Sequence, residues 1–150
     1  MALKQKAIVL DIDGVIFDSI FLLREINDSA LKGDEMWDYY YSNCNSDRVK
    51  VNKFIYNILQ GYKNYALFIS TSRSERCRKE TEAKLEANGV FPYKVYMRPE
   101  GDLRLAPELK QSHLKEIQKE YDIELFIDDE PANCRMAKEL GIFTLRALAF

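Results

Sequence analysis

Ala7-Ile8-Val9-Leu10 is an unbroken apolar run that empties into Asp11-Ile12-Asp13-Gly14. A short apolar run bounded by a turn residue reads as a buried strand. On extended backbone, side chains at i and i+2 share a face. Here the chain is leaving the strand, so both carboxylates project into the crevice at the carboxyl ends of the strands, where open α/β sheets bind ligands. Two carboxylates this close repel, and a divalent cation or a shared proton would relieve them. The plainer reading of Asp13-Gly14 is a strand end followed by an Asx turn.

Further apolar runs lie near residues 65–71, 93–97, 123–127 and 142–146. Helical patterns separate most of them. Residues 47–61 carry Val49, Val51, Phe54, Ile55, Ile58 and Leu59 close to helical spacing. Residues 74–88 are charged and helix-favouring, with Gly89 as a stop and Ser72 and Glu75 spaced for a capping box. Residues 108–121 place Leu109, Leu114, Ile117 and Tyr121 on one face, and Pro131 suits the first turn of a helix ending at Gly141. Strands alternating with helices imply parallel pairing through right-handed crossovers. The expected fold class is therefore α/β, a three-layer Rossmann-like arrangement around a central parallel sheet, in one domain over 1–150.

One segment breaks the alternation. Residues 17–46, about thirty in all, are too long for a plain connection in a compact domain. A small helical flap is expected there, with a helix near 18–31. Trp37, Tyr39, Tyr40 and Tyr41 within it read first as packing residues; the other reading is a stacking surface at the mouth of a site.

Bulk properties narrow the function. A net charge of −2 over 150 residues argues against a broadly basic nucleic-acid surface, though not against a local one. The 3 cysteines, Cys44, Cys77 and Cys134, are odd in number and have no metal-like spacing, which fits free thiols in a reducing compartment. No run approaches the ~20 apolar residues of a membrane span. A cytoplasmic protein without a membrane segment or an evident stable protein partner is expected.

Three later features join the first acidic pair. The run Ala66 to Ile69 ends in Ser70-Thr71-Ser72-Arg73, Lys110 opens a helical stretch, and Ile123 to Ile127 ends in Asp128-Asp129. This ordered set resembles the motifs of the haloacid dehalogenase (HAD) phosphohydrolases, whose first motif is an apolar strand ending in Asp-x-Asp-Gly. The resemblance implies catalytic roles for Asp11, Asp13, Thr71 and Lys110. Asp11 would be the nucleophile and Asp13 the general acid and base. Mg²⁺ would be held by Asp11, Asp128 and the backbone carbonyl of Asp13, with Asp129 in support. Thr71 would donate to the phosphoryl group and Lys110 would neutralise charge beside Asp11.

Met97-Arg98-Pro99-Glu100-Gly101-Asp102-Leu103-Arg104, with Lys110 following, is similar to the third-motif region of the polynucleotide kinase/phosphatase 3′-phosphatase domain. Thr71-Ser72-Arg73 resembles the Ser-Gly-Arg of that family. The resemblance implies removal of 3′-phosphates from polynucleotide ends or nucleotides. It places Ser72, Arg73, Arg98 and Arg104 at the substrate, as phosphate or structural contacts. Ion pairing of Arg104 with Asp102 or Glu108 is the alternative for that residue. Two departures stand out: Ala106 and Pro107 occupy the region of a usual acid, and Ser72 stands where the family has Gly. No Gly-x-x-x-x-Gly-Lys-Ser/Thr loop is present, so no kinase activity is expected. A HAD phosphatase for a 5′-nucleotide or sugar phosphate is the alternative function, and a non-enzymatic binding module a more remote one. His113, the only histidine, reads as a surface helix residue without a role.

Overall fold

The computed structural model describes residues 2–148. A parallel sheet of five strands forms its centre. Strand β1 (Gln5–Leu10) is the middle strand. It is followed by β2 (Phe17–Asp18), helices α1 (Phe21–Asn27) and α2 (Asp34–Asn43), β3 (Lys50–Val51) and α3 (Lys53–Gln60). Then come β4 (Ala66–Ser74), α4 (Arg78–Ala87), β5 (Lys94–Arg98), α5 (Ala106–Gln118), β6 (Tyr121–Asp128), α6 (Pro131–Glu139) and β7 (Thr144–Arg146). The sheet order is β5-β4-β1-β6-β7 with every pairing parallel.

The alternation of β1 explains the three layers. Ala7 and Val9 join Phe68, Phe126, Leu114, Ile117, Met136 and Ala137 on the face covered by α5 and α6. Ile8 and Leu10 join Ile69, Leu125, Ile127, Ile55 and Leu85 on the face covered by α3 and α4. A strand buried on both sides has to be apolar at consecutive positions, which is what the opening run shows. Fully burying each large aliphatic side chain contributes roughly 1.5–3 kcal/mol, so β1 anchors both cores.

The insertion after β1 is more structured than a single flap helix. Phe17 pairs with Val51 and Asp18 with Lys50, an antiparallel ribbon that closes the base of the excursion. The expected helix over 18–31 is only α1, and α2 is a second helix carrying the aromatic cluster. The helix expected over 47–61 begins at Lys53, because the Asn52 side chain accepts from Phe54 N at 3.0 Å and caps it there. Val49 is buried before the helix and Val51 lies in β3.

The expected Ser72–Glu75 capping box does not form. Strand β4 runs on through Ser74, which pairs with Arg98 of β5. Ser74 then caps a short 3-10 turn, Glu75–Cys77, by accepting from Arg76 N at 3.2 Å. Glu75 pairs with Arg78 at 2.6 Å instead. Gly89 ends α4 in a left-handed conformation, φ 75°, as its position suggested. Among the described residues no helix is long and apolar enough to cross a membrane.

Candidate active site

The carboxyl ends of β1, β4 and β6 bring together residues far apart in sequence. Asp11 follows β1, and its backbone N–H donates to Ile127 O at 3.0 Å, so β6 fixes its position. Its Oδ1 accepts from Ile12 N at 2.7 Å. Asp128 ends β6 fully buried, accepting at Oδ1 from Glu130 N at 2.9 Å and from Asn133 Nδ2 at 3.1 Å. Lys110, on the buried face of α5, reaches between the two acids: its Nζ lies 3.0 Å from Asp11 Oδ2 and 2.6 Å from Asp128 Oδ2. Asp129 completes the cluster, with one oxygen from each of Asp11, Asp128 and Asp129 mutually within 4.8 Å.

Gly14 is required by this arrangement. It has φ 76°, and a Cβ there would lie 2.5 Å from Asp129 Oδ2. The glycine of the first motif therefore both turns the chain and leaves room for the second acidic pair.

Asp13 belongs to a separate ion-pair system. It accepts from Ser19 Oγ at 2.6 Å and from Arg73 at 2.9 Å (Nε) and 2.7 Å (Nη2), a bidentate fork. Arg73 also donates to Asn45 Oδ1 at 2.7 Å, Thr81 Oγ1 at 3.2 Å and Cys44 O at 3.2 Å. It is 2% exposed. The expectation of Arg73 as a substrate contact is corrected here to its structural alternative: its donors are taken up inside the protein.

The remaining expected residues fall as follows. Thr71 is fully buried beside Asp13's partner, and its Oγ1 accepts from Arg73 N at 3.1 Å. Ser72 lies within β4 with ordinary negative φ, so the strand needs no glycine there. Its Oγ is buried and has no hydrogen-bond partner among the described residues. Arg98 donates to the carbonyls of Asp102 (3.1 Å) and Arg104 (2.7 Å), and Arg104 pairs with Asp102 at 2.6 Å. Both arginines thus hold the β5–α5 loop, whose turn Gly101 takes at φ 78°. Ala106 and Pro107 form the first turn of α5, the Pro where no backbone donor is needed.

His113 is not a surface residue. It is 7% exposed, and its Nδ1 lies 2.8 Å from Ser70 Oγ, with Tyr96 packed on its ring. Burial first, and then the charges of Lys110, Arg104 and Arg98, push it down to about 4. The clue in the sequence was its spacing: Lys110, His113, Leu114 and Ile117 form the single buried stripe of α5. Tyr40 packs as expected, whereas Asn133, Ser19 and Asn45 were missed. Each supports a charged group through a fold contact that no local pattern announces.

The two motif-one acids are driven in opposite directions. Burial pushes Asp11 well above the usual carboxylate range; Lys110 opposes this, while Asp128, Asp13 and Asp129 add to it. Burial pushes Asp13 up as well, but the charge and hydrogen bonds of Arg73, with Ser19 and Tyr40, outweigh it and leave Asp13 below its ordinary value. Asp129 is pushed up to about 6 by burial and by Asp128. Three carboxylates facing one lysine form a cluster of hard oxygens compatible with a divalent-cation site.

Known proteins agree with this geometry. No curated protein matches the sequence. Among solved structures, a chain in "Structure of the Pnkp1/Rnl/Hen1 RNA repair complex" superposes with TM-score 0.75 at 22% identity, covering 97% of this chain and 43% of that one. A haloacid dehalogenase-like hydrolase from Streptococcus pneumoniae gives TM-score 0.67 at 16% identity, covering 96% of this chain and 84% of that one. A class C acid phosphatase from Bacillus anthracis with tungstate bound gives TM-score 0.66 at 15% identity, covering 95% and 68%. The chain thus spans less than half the length of the Pnkp1 chain it resembles. These likenesses establish the fold. The sequence itself matches the family described as "Polynucleotide kinase PNKP phosphatase domain" over residues 5–148, so the chain belongs to that family and is a phosphatase of the haloacid dehalogenase type.

Proposed function

We propose that this phosphatase is Mg²⁺-dependent, works through an aspartyl-phosphate on Asp11, and removes 3′-phosphates from polynucleotide ends or nucleotides. The observation that carries the chemistry is the convergence of Asp11 and Asp128 on Lys110, with Asp129 within 4.8 Å. The 3′-end assignment rests on family membership and on the Arg98 to Arg104 segment.

Asp11, Asp128 and Asp129 would hold the cation, with the Asp13 carbonyl as a further oxygen; their spacing and their hard-oxygen chemistry fit it. When bound, Mg²⁺ supplies charge neutralisation for the carboxylates and the phosphate. In the first half-reaction an Asp11 oxygen bonds to phosphorus while the bond to the leaving oxygen breaks, and Asp13 gives that oxygen a proton. In the second, Asp13 takes a proton from water as its oxygen bonds to phosphorus and Asp11 is released. The resting pairing with Arg73 keeps Asp13 a carboxylate. An arriving phosphate dianion opposes Arg73 and raises the proton affinity of Asp13, which readies it as an acid. Lys110 stays paired with Asp11 and offsets the charge that the nucleophile and phosphate bring together.

The test is a panel of phosphorylated compounds with and without Mg²⁺. Preference for 3′-phosphorylated oligonucleotide or nucleoside 3′-phosphate over 5′-nucleotides and sugar phosphates is expected. Strong turnover of a sugar phosphate without oligonucleotide activity would remove the 3′-end assignment and leave the phosphatase.

A further inference from the structure

Helix α2 carries an aromatic array that the chemistry above does not use. Trp37 stacks on Tyr41 with ring centroids 6.0 Å apart and planes inclined by 24°. Tyr40 meets both edge-on, at 6.4 Å from Trp37 and 5.7 Å from Tyr41. The Arg76 guanidinium lies 4.7 Å from the Tyr41 ring centroid and is held by Asp38 at 2.8 Å. Tyr40 is buried, whereas Trp37 remains 53% exposed. The array therefore fixes an indole rigidly without covering it.

The same helix is bonded to the catalytic machinery. At its carboxyl end, Cys44 O and Asn45 Oδ1 accept from Arg73, which grips Asp13. The Tyr40 phenol also lies beside Asp13. From Cys44 back to Trp37 the rise along the helix is about 10 Å. An open aromatic face thus stands on the helix whose carboxyl end holds Arg73 and through it Asp13, with the cationic Arg76 over the adjoining Tyr41 ring.

We propose that Trp37 is a stacking platform for a base near the 3′ end of a single-stranded polynucleotide whose terminal phosphate sits at Asp11. This rests on the 3′-end reading above. A rigid aromatic surface with a cation beside it suits bases because every base has a π-face, and it accepts them irrespective of sequence. A sugar phosphate has no π-face of its own and gains no base stacking from it. Asp38 fixes Arg76 against Tyr41, so the stack is ordered before the strand arrives and less freedom is lost on binding.

Trp37 is the protein's only tryptophan, so its fluorescence reports the platform directly. The Asp11→Asn protein, which binds without turning over, is titrated with a 3′-phosphorylated single-stranded oligonucleotide and separately with inorganic phosphate. Saturable quenching by the oligonucleotide and none by phosphate is expected. In parallel, Trp37→Ala and Trp37→Phe are assayed on the oligonucleotide and on acetyl phosphate, which has no ring. Trp37→Ala should raise KM for the oligonucleotide roughly 5- to 100-fold with kcat little changed, while Trp37→Phe recovers most of it. Acetyl phosphate turnover should be unaffected in both, which shows that the site is intact. Oligonucleotide turnover with unchanged KM in Trp37→Ala, or binding without quenching, overturns the platform alone. Failure of the wild type to hydrolyse any 3′-phosphorylated oligonucleotide while it hydrolyses acetyl phosphate overturns the 3′-end reading and the platform with it.

Discussion

Replacing Arg73 with Met keeps most of the side-chain volume and removes the charge. Asp13 then loses a bidentate partner whose guanidinium is almost wholly buried, while its own side chain is only 19% exposed. Removing one member of a buried pair costs about 3–5 kcal/mol, because the other charge stays desolvated. Asn45, Thr81 and the Cys44 carbonyl lose a charge-assisted donor as well, which places the cost at the upper end. Against a total stability of roughly 5–15 kcal/mol the variant is expected to fold but only marginally. The pH dependence identifies the cause. In the wild type Asp13 lies below its ordinary value, so its contribution is present above about pH 4 and is lost as pH falls through the native value. Without Arg73, only the hydrogen bonds of Ser19 and Tyr40 oppose burial, so Asp13 is expected to rise above that reference and the variant to be penalised increasingly as pH rises past about 4. The gap between the two proteins in urea denaturation should therefore widen as pH rises through the carboxylate range and then level off. Arg73→Lys keeps the charge without the fork, and should recover part of the stability but little of the turnover, since Asp13 is no longer aimed. A loss of kcat on the order of 100-fold is expected for either variant. A Met variant with a denaturation midpoint and kcat matching the wild type would show that Arg73 does not hold Asp13.

Asp11→Asn should abolish turnover yet leave the thermal midpoint within a few degrees, because it removes an attacking charge and not core volume; phosphatase activity near the wild-type rate would refute the nucleophile. Lys110→Met should cost about 3–5 kcal/mol in the absence of divalent cations, since Lys110 separates Asp11 from Asp128, and millimolar Mg²⁺ should restore part of it; an unchanged urea midpoint counts against that role. His113 stays neutral in the folded protein down to about 4, whereas the unfolded chain takes up a proton near pH 6.5, so stability should fall as pH drops through that window, by roughly 3 kcal/mol at its lower end. His113→Asn should remove that share of the slope, and identical slopes in the two proteins between pH 6.5 and 4 would refute it.

The alternation of strands and helices, and the acids at the carboxyl ends of β1 and β6, were legible in the sequence because both are written locally. A strand buried on both faces needs consecutive apolar residues, and its carboxyl end shows where the charges begin. What the sequence concealed depends on contacts between distant segments. Arg73 looks like a phosphate ligand from its neighbours alone; Asp13, Thr81, and Asn45 and Cys44 returning from the insertion take up its donors. His113 looks like a solvated helix residue until the register of α5 against β4 puts it on Ser70. The helix over 47–61 was misjudged because apolar spacing carries through Val49 and Val51, while the Asn52 cap decides where the helix starts. The capping box at Ser72 failed because pairing with β5 keeps the strand extended two residues longer. Apart from the Asn52 cap, which is itself a local contact, a tertiary contact outweighed a correct local propensity in each case.

The two ion-pair systems also set the proton affinities of the two acids apart. Asp11, the proposed nucleophile, is pushed towards the protonated form by burial and by the neighbouring acids, and Asp13, the proposed acid, is held as a carboxylate by Arg73. These directions are opposite to those the proposed first half-reaction needs. A cation shared by Asp11, Asp128 and Asp129 would favour the carboxylate of Asp11, and a phosphate dianion would favour the protonated form of Asp13. Each partner of the reaction corrects one acid, so neither alone prepares the site. Lys110 and Arg73 are separate cations, one serving β1 and β6, the other serving Asp13 and the insertion, so the two corrections draw on different partners.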